Sequence, residues 1–293
     1  MSRTIKQALA SAYQQLNQAK IKTAHLDAEL ILCFVLKKSK EFLYTYPKQE
    51  IKKPKNQEIN TLIKKRTTNY PLAYLINQKE FFKLNFFVNK DVLIPRPETE
   101  ALVSECLKQI TNYPAKTITI ADIGTGSGCI PVAIAHNLEK QSKASQRIKI
   151  LATDISSKAL KVATKNAKQH KVKSKITFLH GDLLEPLKNK KLNILIANLP
   201  YLDPNYKNLL KSADQKSLNF EPSLALYSDQ KGLAHYHDFF EQINQLKFKP
   251  NLILIEFGPK QTTGIKKIIK KYLPKAKITI LPNQLGALKI QLT

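Results

Sequence analysis

Two segments of this 293-residue chain carry residue types at a spacing that suits one chemistry. The tetrapeptide Asn198-Leu199-Pro200-Tyr201 closes the apolar run Leu192–Ala197, about 70 residues after the glycine loop Asp122-Ile123-Gly124-Thr125-Gly126-Ser127-Gly128. Such a turn, at the carboxyl end of a buried strand, offers two oxygens to the hydrogens of an NH2 group: the Asn198 side-chain oxygen and the Leu199 carbonyl. The nitrogen lone pair is then aimed at a methyl donor. A neutral amide or exocyclic amine is a poor nucleophile, and no nearby histidine or cysteine suggests covalent catalysis. Positioning must supply much of the effect, and well-oriented neighbours reach effective molarities of about 10⁵ to 10⁸ M. Asn198 and the Leu199 carbonyl would fix the NH2 plane and stabilise the nitrogen as it becomes positive. Tyr201 would stack on the planar group or wall it off. Asn198 and Tyr201 are the catalytic candidates, and Asn198, Leu199, Pro200 and Tyr201 the substrate-binding ones. An asparagine that merely caps a turn is the plainer reading of the same residues.

The glycine loop reads as a site for S-adenosylmethionine. The run Ile118–Asp122 leads through Gly124, Thr125, Gly126, Ser127 and Gly128 into the helix-patterned segment Ile130–Leu138. Glycines let a backbone pass close to a ligand, and a helix start supplies free N–H groups. The spacing departs from the dinucleotide fingerprint G-x-G-x-x-G, because Cys129 holds its final place and the third glycine comes one residue early. Asp154 ends the next apolar run, Ile148–Thr153, where a carboxylate can accept both ribose hydroxyl hydrogens of an adenosine. Asp182 follows the third run in His180-Gly181-Asp182-Leu183, placed to accept from an adenine amino group while Leu183 packs near the ring. Either acid alone reads equally as a helix N-cap or a solvated turn residue. In this order behind the loop they form a cofactor set, which Asn198 completes.

Composition narrows the classes. The chain is 43% hydrophobic, enough to bury one large core and a smaller second one. No apolar stretch reaches the roughly 18–20 residues that span a bilayer, and the opening segment lacks the apolar heart of a signal peptide. A cytoplasmic location without membrane attachment is the expectation. Cys33, Cys106 and Cys129 show no C-x-x-C spacing, and His235-x-His237 has no acidic or cysteine partner at ligand spacing. Neither a disulfide framework nor a metal site is expected. The net charge of +26 invites a nucleic-acid reading. Yet only Arg3, Arg66, Arg96 and Arg147 are arginines, the residue suited to bidentate phosphate or base contacts, and lysines are spread over the whole chain. A solvated lysine-rich surface accounts for this, with attraction to an acidic protein or ribosomal RNA as the alternative. No stable nucleic-acid partner is expected.

The elements that must position these residues are of two kinds. Residues 1–76 read as a helical domain. Thr4 with Gln7 makes a capping-box pattern ahead of the stripe Ile5, Leu9, Tyr13 and Leu16, and Leu26–Leu36 is apolar on nearly all sides, as for a central helix. Ile59, Leu62 and Ile63 mark a further helix ending between Thr67 and Pro71. Residues 77–92 contain Glu80–Val88, aromatic-rich on both sides of a short polar break, the pattern of a β-hairpin serving as linker. Across 93–293, strand-like runs at Ile118–Ile123, Ile148–Thr153, Ile176–Leu179, Leu192–Ala197, Leu252–Phe257, Ile278–Leu281 and Ala287–Leu292 alternate mostly with helical segments. The last two are joined by Pro282–Gly286, too short for a crossover, and should pair antiparallel. The fold class is α/β, a Rossmann-like methyltransferase sheet of seven strands with the last antiparallel. The polar connection Glu139–Gln146 is the one low-complexity stretch.

Four segments carry a family resemblance: Val92-Leu-Ile-Pro-Arg-Pro-Glu-Thr-Glu100, Ala121–Ile130 around the glycine loop, Asn198–Tyr201, and Phe220-Glu-Pro-Ser-Leu-Ala-Leu226. Together they resemble the bacterial peptide chain release factor N5-glutamine methyltransferases of the HemK type. Thr23–Ala28, Pro71–Tyr74 and Ile255–Gly258 extend the match over nearly the whole chain. The Ile-Pro-Arg-Pro-Glu-Thr-Glu run discriminates best, since the loop and the turn also occur in nucleic-acid methyltransferases. The resemblance implies S-adenosylmethionine as methyl donor and, as substrate, the glutamine of the Gly-Gly-Gln loop of class 1 release factors. It implies too that the helical domain of residues 1–76 is a substrate-recognition domain that helps hold the factor; a monomer is the expectation for the assembly. Glu98 and Glu100 read as a helix start favoured by its dipole, or as residues touching the site. The chain departs from the family in two places. Leu199 stands where proline is usual, which keeps the carbonyl but frees φ, so Leu199→Pro should hold or raise turnover. Leu226–Gly232 lacks the glycines usual before that segment. Two other functions compete: methylation of an exocyclic amine in RNA or DNA, which would require base extrusion, and a silent cofactor fold acting as a translation-factor adaptor.

Overall fold

The computed structural model describes residues 3–111, 113, 117–140, 147–205, 216–282 and 286–292. The chain divides into two compact units, Met1–Gln78 with Leu209–Phe220, and Lys79–Asn208 with Glu221–Thr293. Most of the polar connection Glu139–Gln146 and the centre of the Pro282–Gly286 link lie outside the described residues.

The first unit is helical: α1 (Ile5–Gln18), α2 (Ala24–Leu36), α3 (Lys40–Thr45), α4 (Lys53–Thr67) and α5 (Leu72–Leu75), with β1 (Arg3–Thr4) and β2 (Glu50–Ile51) forming a two-residue antiparallel ladder. The capping box at Thr4 is present: its hydroxyl accepts from the Gln7 N–H at 3.3 Å, and its own N–H donates to Gln7 Oε1 at 2.9 Å. The buried stripe of α1 is Ile5, Ala8, Ala12 and Leu16, whereas Tyr13 is 42% exposed. Ile5 and Leu16 of the expected stripe are buried, and between them Ala8 and Ala12 take the inward places, where a small side chain lets two backbones approach. Nor is α2 buried all round, since Leu26 and Phe34 face outward while Asp27 and Glu29 turn inward. Asp27 meets Arg66 of α4 at 2.7 Å, and Arg66 also donates to the Tyr70 carbonyl. The inward carboxylates are tolerated because each is paired.

In the second unit, β3 (Lys79–Phe81) and β4 (Leu84–Phe86) form the expected hairpin, turning through Phe82 and Lys83, both at positive φ. Phe81 and Phe86 are fully buried in the unit's own core, so the hairpin is an integral part of this unit and not a bare connector. Helix α6 (Glu100–Thr111) is followed by β5 (Thr117–Ile123), α7 (Cys129–Lys140), β6 (Arg147–Asp154), α8 (Ser157–Gln169), β7 (Ile176–His180), β8 (Ile194–Asn198), β9 (Leu252–Glu256), β10 (Lys277–Ile280) and β11 (Ala287–Gln291). The helices Ala234–Gln245 and Thr262–Tyr272 flank β9 in the chain. The seven strands lie in the order β10-β11-β9-β8-β5-β6-β7, with β11 antiparallel to both its neighbours and the rest of the ladder parallel. Alternate residues of β5 feed two cores, Ile118 and Ile120 to one face and Ala121 and Ile123 to the other. A sheet covered on both faces needs such near-continuous apolar strands.

Strand order reverses between β5 and β8, since the chain runs outward through β6 and β7 before returning to β8. That reversal opens a crevice at the carboxyl ends of the strands, where ligands of open α/β sheets bind. Strand β8 starts at Ile194, two residues later than the apolar run suggests. Asn193 instead accepts the Thr119 N–H at 2.8 Å and closes the opposite end of the sheet. No described helix is long and apolar enough to cross a membrane.

Candidate active site

The glycine loop is built of three left-handed glycines, Gly124, Gly126 and Gly128 at φ +72°, +54° and +76°. The Gly124 and Thr125 N–H groups donate to the Thr153 carbonyl of β6, at 3.0 and 2.9 Å. At Gly128 a Cβ would lie 2.9 Å from that of Ala163 in α8, so loop and helix touch backbone to backbone. Asn166, fully buried on α8, donates to the Ser127 carbonyl at 2.8 Å and brackets Phe87 through both its N–H and its carbonyl. Hairpin, helix and loop are thereby locked to one another.

Beside the loop lies a cavity of about 840 Å³, counting its open mouth. Gly124, Gly126, Asp154, Asp182, Leu183, Asn198, Leu199 and Pro200 line it, so most of the expected site residues converge there. Thr125 and Ser127 are buried behind the loop. Tyr201 also stays outside the lining. Its ring is near Glu256, burial pushes its hydroxyl up to about 12, and its carbonyl accepts from Gln261 Nε2 at 2.8 Å. It braces the turn from behind where a stacking wall was expected. His235, weighed above as a metal ligand, lines the cavity instead, with Nδ1 2.7 Å from Ser228 Oγ.

Asp154 accepts one backbone N–H on each oxygen, Gly126 and Ser156, both at 2.8 Å. Burial raises its carboxyl above the ordinary range, against the pull of those two amides. A carboxylate offers about four acceptor positions, so each oxygen keeps one for a further donor. Asp122, at the base of the loop, is buried with neither oxygen hydrogen-bonded, and burial lifts its carboxyl to about 7 against the influence of the Thr125 hydroxyl. Sequence reasoning had passed over Asp122 as a strand terminus. Burial also raises Asp182, with Glu185 and Asp238 adding to the shift.

The turn itself is held from below. Asn198 Nδ2 donates to the Thr99 hydroxyl at 3.0 Å. Glu256 stands beside Asn198 in the β8–β9 register, with Oε2 buried and without a hydrogen-bond partner, and the Thr99 and Asn198 side chains favour its ionised form. The NH2 group of the asparagine is thus committed to Thr99. Thr99 belongs to the short helical turn Pro97–Thr99 that leads into α6, so Glu98 and Glu100 do form a helix start. Glu100 additionally accepts the Phe82 N–H of the hairpin at 2.8 Å. Arg96 pairs with the buried Glu221 at 2.6 Å, and Glu221 also takes the Ile94 N–H. The discriminating sequence run is thus a brace for the turn.

The model of the PrmC N-terminal domain matches residues 7–76, and that of the methyltransferase small domain matches residues 98–216. The release factor glutamine methyltransferase of Coxiella burnetii is 36% identical over 262 residues, covering 89% of this chain and 88% of that protein. The chain belongs to the release factor glutamine methyltransferase family. The Moorella thermoacetica relative of that name is 33% identical over 97% of this chain and 95% of its own. A bifunctional methyltransferase of Rickettsia prowazekii is 32% identical, and the chain spans about half its length, 54%. Among solved structures, the hMettl16 catalytic domain in complex with a MAT2A 3′UTR hairpin superposes with a TM-score of 0.56 at 15% identity, covering 89% of this chain and 90% of that one. That likeness concerns the fold.

As a member of this family the chain is an S-adenosylmethionine-dependent methyltransferase, and its cavity fits that cofactor. Two Asp154 oxygens with spare acceptor positions suit a diol, and Asp154 lines the cavity. When bound, the cofactor supplies a methyl group on a sulfonium. Gly124, Gly126, Asp154, Asp182 and Leu183 are the residues that would hold it.

Two expected results arise from this site. Burial lifts Glu256 to about 7, Glu98 pushes it further, and Thr99, Asn198 and Arg96 oppose the rise; Tyr201 and Tyr236 are the other titratable groups against it. Thr99 and Asn198 favour the ionised form, the form in which Glu256 supports the turn. At saturating cofactor, kcat should therefore fall as pH drops below about 7, and Glu256→Gln should flatten that limb. Stability runs the other way. A carboxyl raised in the folded state stabilises most below its unfolded value and loses that contribution as pH rises through the folded one, here on the order of 3 kcal/mol. Thermal unfolding at pH 5.5 and 8 should show a larger loss in the wild type than in Glu256→Gln; equal losses would refute the assignment.

The segment that lacks the usual glycines has its own strain. Gln230, Lys231 and Gly232 are all left-handed, at φ +54°, +60° and +84°. At Gly232 a Cβ would meet the Tyr201 carbonyl at 2.0 Å, so glycine is required there. Gln230 and Lys231 bear side chains in a region that costs roughly 1 kcal/mol or more per residue, and both are exposed. Lys231→Gly should raise the unfolding free energy by about 0.5–1 kcal/mol, read from denaturant melts. A loss of stability would show that the lysine side chain contributes contacts.

Proposed function

We propose that this protein transfers a methyl group from S-adenosylmethionine to the side-chain amide nitrogen of the glutamine in the Gly-Gly-Gln loop of class 1 release factors. The observation that carries this reading is the orientation of Asn198, whose Nδ2 is tied to Thr99 while the residue lines the cavity. Its Oδ1 and the Leu199 carbonyl are two acceptors set for the two hydrogens of a primary amide. Accepting both N–H groups fixes the amide plane and withdraws the nitrogen from solvent. It also stabilises the positive charge that develops on the nitrogen, because fixed dipoles need no reorganisation; the transfer would leave S-adenosylhomocysteine, and the methylated nitrogen gives up one of its protons to water. Asn198, Leu199 and Pro200 are the residues of the substrate site in this reading; Tyr201 supports them. The residues of the first unit form the recognition domain for the factor. The partner is the release factor, the enzyme is a monomer, and the setting is the cytoplasm.

The test is mass spectrometry of an unmodified release factor incubated with the protein and S-adenosylmethionine. One added methyl on the Gly-Gly-Gln glutamine is expected. Transfer into nuclease-sensitive material, with none on the factor, would overturn the reading in favour of a nucleic-acid amine.

A further inference from the structure

Leu199 is a non-proline residue in a turn whose carbonyl must be held at a fixed angle, and its two backbone torsions are constrained by different means. Pro200 follows it, and a residue before proline is confined to extended ψ. No ring constrains its φ. The Leu199 N–H instead donates to the Tyr236 hydroxyl at 3.3 Å, and that hydroxyl donates in turn to the Glu256 carbonyl. Tyr236 lies on the helix Ala234–Gln245 and is completely buried, in the same core as Leu199. The Leu199 side chain is itself buried, with a methyl 3.2 Å from where a Gly124 Cβ would stand. Every other buried aromatic of that helix, Phe239 and Phe240, lacks a polar group.

Resting on the proposed amide-methylating activity, we infer that Tyr236 is a positioning residue for the reactive turn. By accepting the Leu199 N–H while anchored to the Glu256 carbonyl, it sets the peptide that presents the Leu199 carbonyl to the substrate amide. A hydrogen bond here takes the place of the ring constraint that proline would impose. Gln261, which donates to the Tyr201 carbonyl, pins the far side of the same turn.

The inference predicts a dependence between two positions. Tyr236→Phe keeps the ring and its packing and removes one hydrogen bond. It should lower kcat for release-factor methylation about 5- to 10-fold with little change in KM for S-adenosylmethionine. Hydrogen exchange should show the Leu199 amide protected in the wild type and released in the variant. In a Leu199→Pro background, where no N–H exists and φ is fixed by the ring, Tyr236→Phe should change kcat less than about twofold. An equal loss of kcat in both backgrounds would overturn the inference, since the hydroxyl would then act elsewhere. So would unchanged kcat, or an equally protected Leu199 amide, in the single variant. If the wild type transfers no methyl to the factor, the functional reading fails, and the exchange experiment alone then decides whether the hydroxyl holds the turn.

Discussion

Asn198→Ala should lower kcat for methyl transfer by about 10²- to 10³-fold, the cost of removing one preorganised polar group from a reacting centre. The variant keeps the strand, because β8 is held by its ladders with β5 and β9. It loses the side-chain oxygen that accepts a substrate N–H, and one amide hydrogen becomes free to rotate away. It also strips the Thr99 hydroxyl of a donor and removes a group that favours the Glu256 carboxylate. Cofactor affinity should change far less, since the loop and Asp154 remain. Asn198→Asp is a sharper variant. It would bring a second carboxylate against the raised Glu256 and replace the NH2 donor by an acceptor, so its activity should fall at least as far. Single-turnover transfer beside an equilibrium cofactor titration separates the two terms. An alanine variant with kcat within about fivefold of wild type would remove Asn198 from the mechanism.

Asp154→Ala should show the reverse pattern, with S-adenosylmethionine affinity about 10²- to 10³-fold weaker, as expected when two charge-assisted hydrogen bonds of about 1.5–3 kcal/mol each are lost with partial compensation. Its oxygens organise as well as bind. The Gly126 and Ser156 N–H groups both end on this carboxylate, so its removal loosens the glycine loop and the start of α8 together. Calorimetric titration gives the affinity, and the cofactor-induced rise in melting temperature checks it, because that rise should nearly vanish at cofactor concentrations that saturate the wild type. At cofactor concentrations high enough to fill the variant's site, kcat should recover substantially. A variant that binds normally but does not turn over would place Asp154 in the chemistry and contradict the diol role.

How much of this was legible beforehand depended on whether a residue acts through its neighbours in sequence or through the sheet. The glycine loop, Asp154 and the Asn198 turn could be read because their chemistry is local: a strand end, a glycine and an acid in fixed order. Thr99 and Glu256 could not, since they reach Asn198 only through the β8–β9 register and the turn before α6. Tyr236 was one apolar position among several on its helix until its hydroxyl met a backbone N–H from another element. The misreading of α1 has a different origin. Periodicity found Ile5, Leu9 and Leu16 but favoured large residues, whereas Ala8 and Ala12 complete the buried face and Tyr13 lies outside. Tyr201 was expected to stack on the planar group or wall it off, and its place outside the cavity lining, near Glu256, depends on contacts that its position after the turn does not show. The hairpin was legible as a hairpin, but aromatic density says nothing of which core the aromatics enter, and Phe81 and Phe86 enter that of the second unit.

The position of β11 bears on how the protein comes into being. Of the three strands at that side of the sheet it is last in the chain, yet it lies between β10 and β9. During synthesis the helices α1 to α5 emerge before the strands of the sheet. Until residues 287–291 are available, β9 presents its apolar Leu252-Ile253-Leu254-Ile255 edge without a partner, and β10 has nothing to pair with. A nascent chain stopped short of this strand would carry the open, sticky edge that marks a protein for aggregation or destruction. The sheet of the second unit therefore closes only after residues 287–291 have been made, although the strands they join are synthesised earlier.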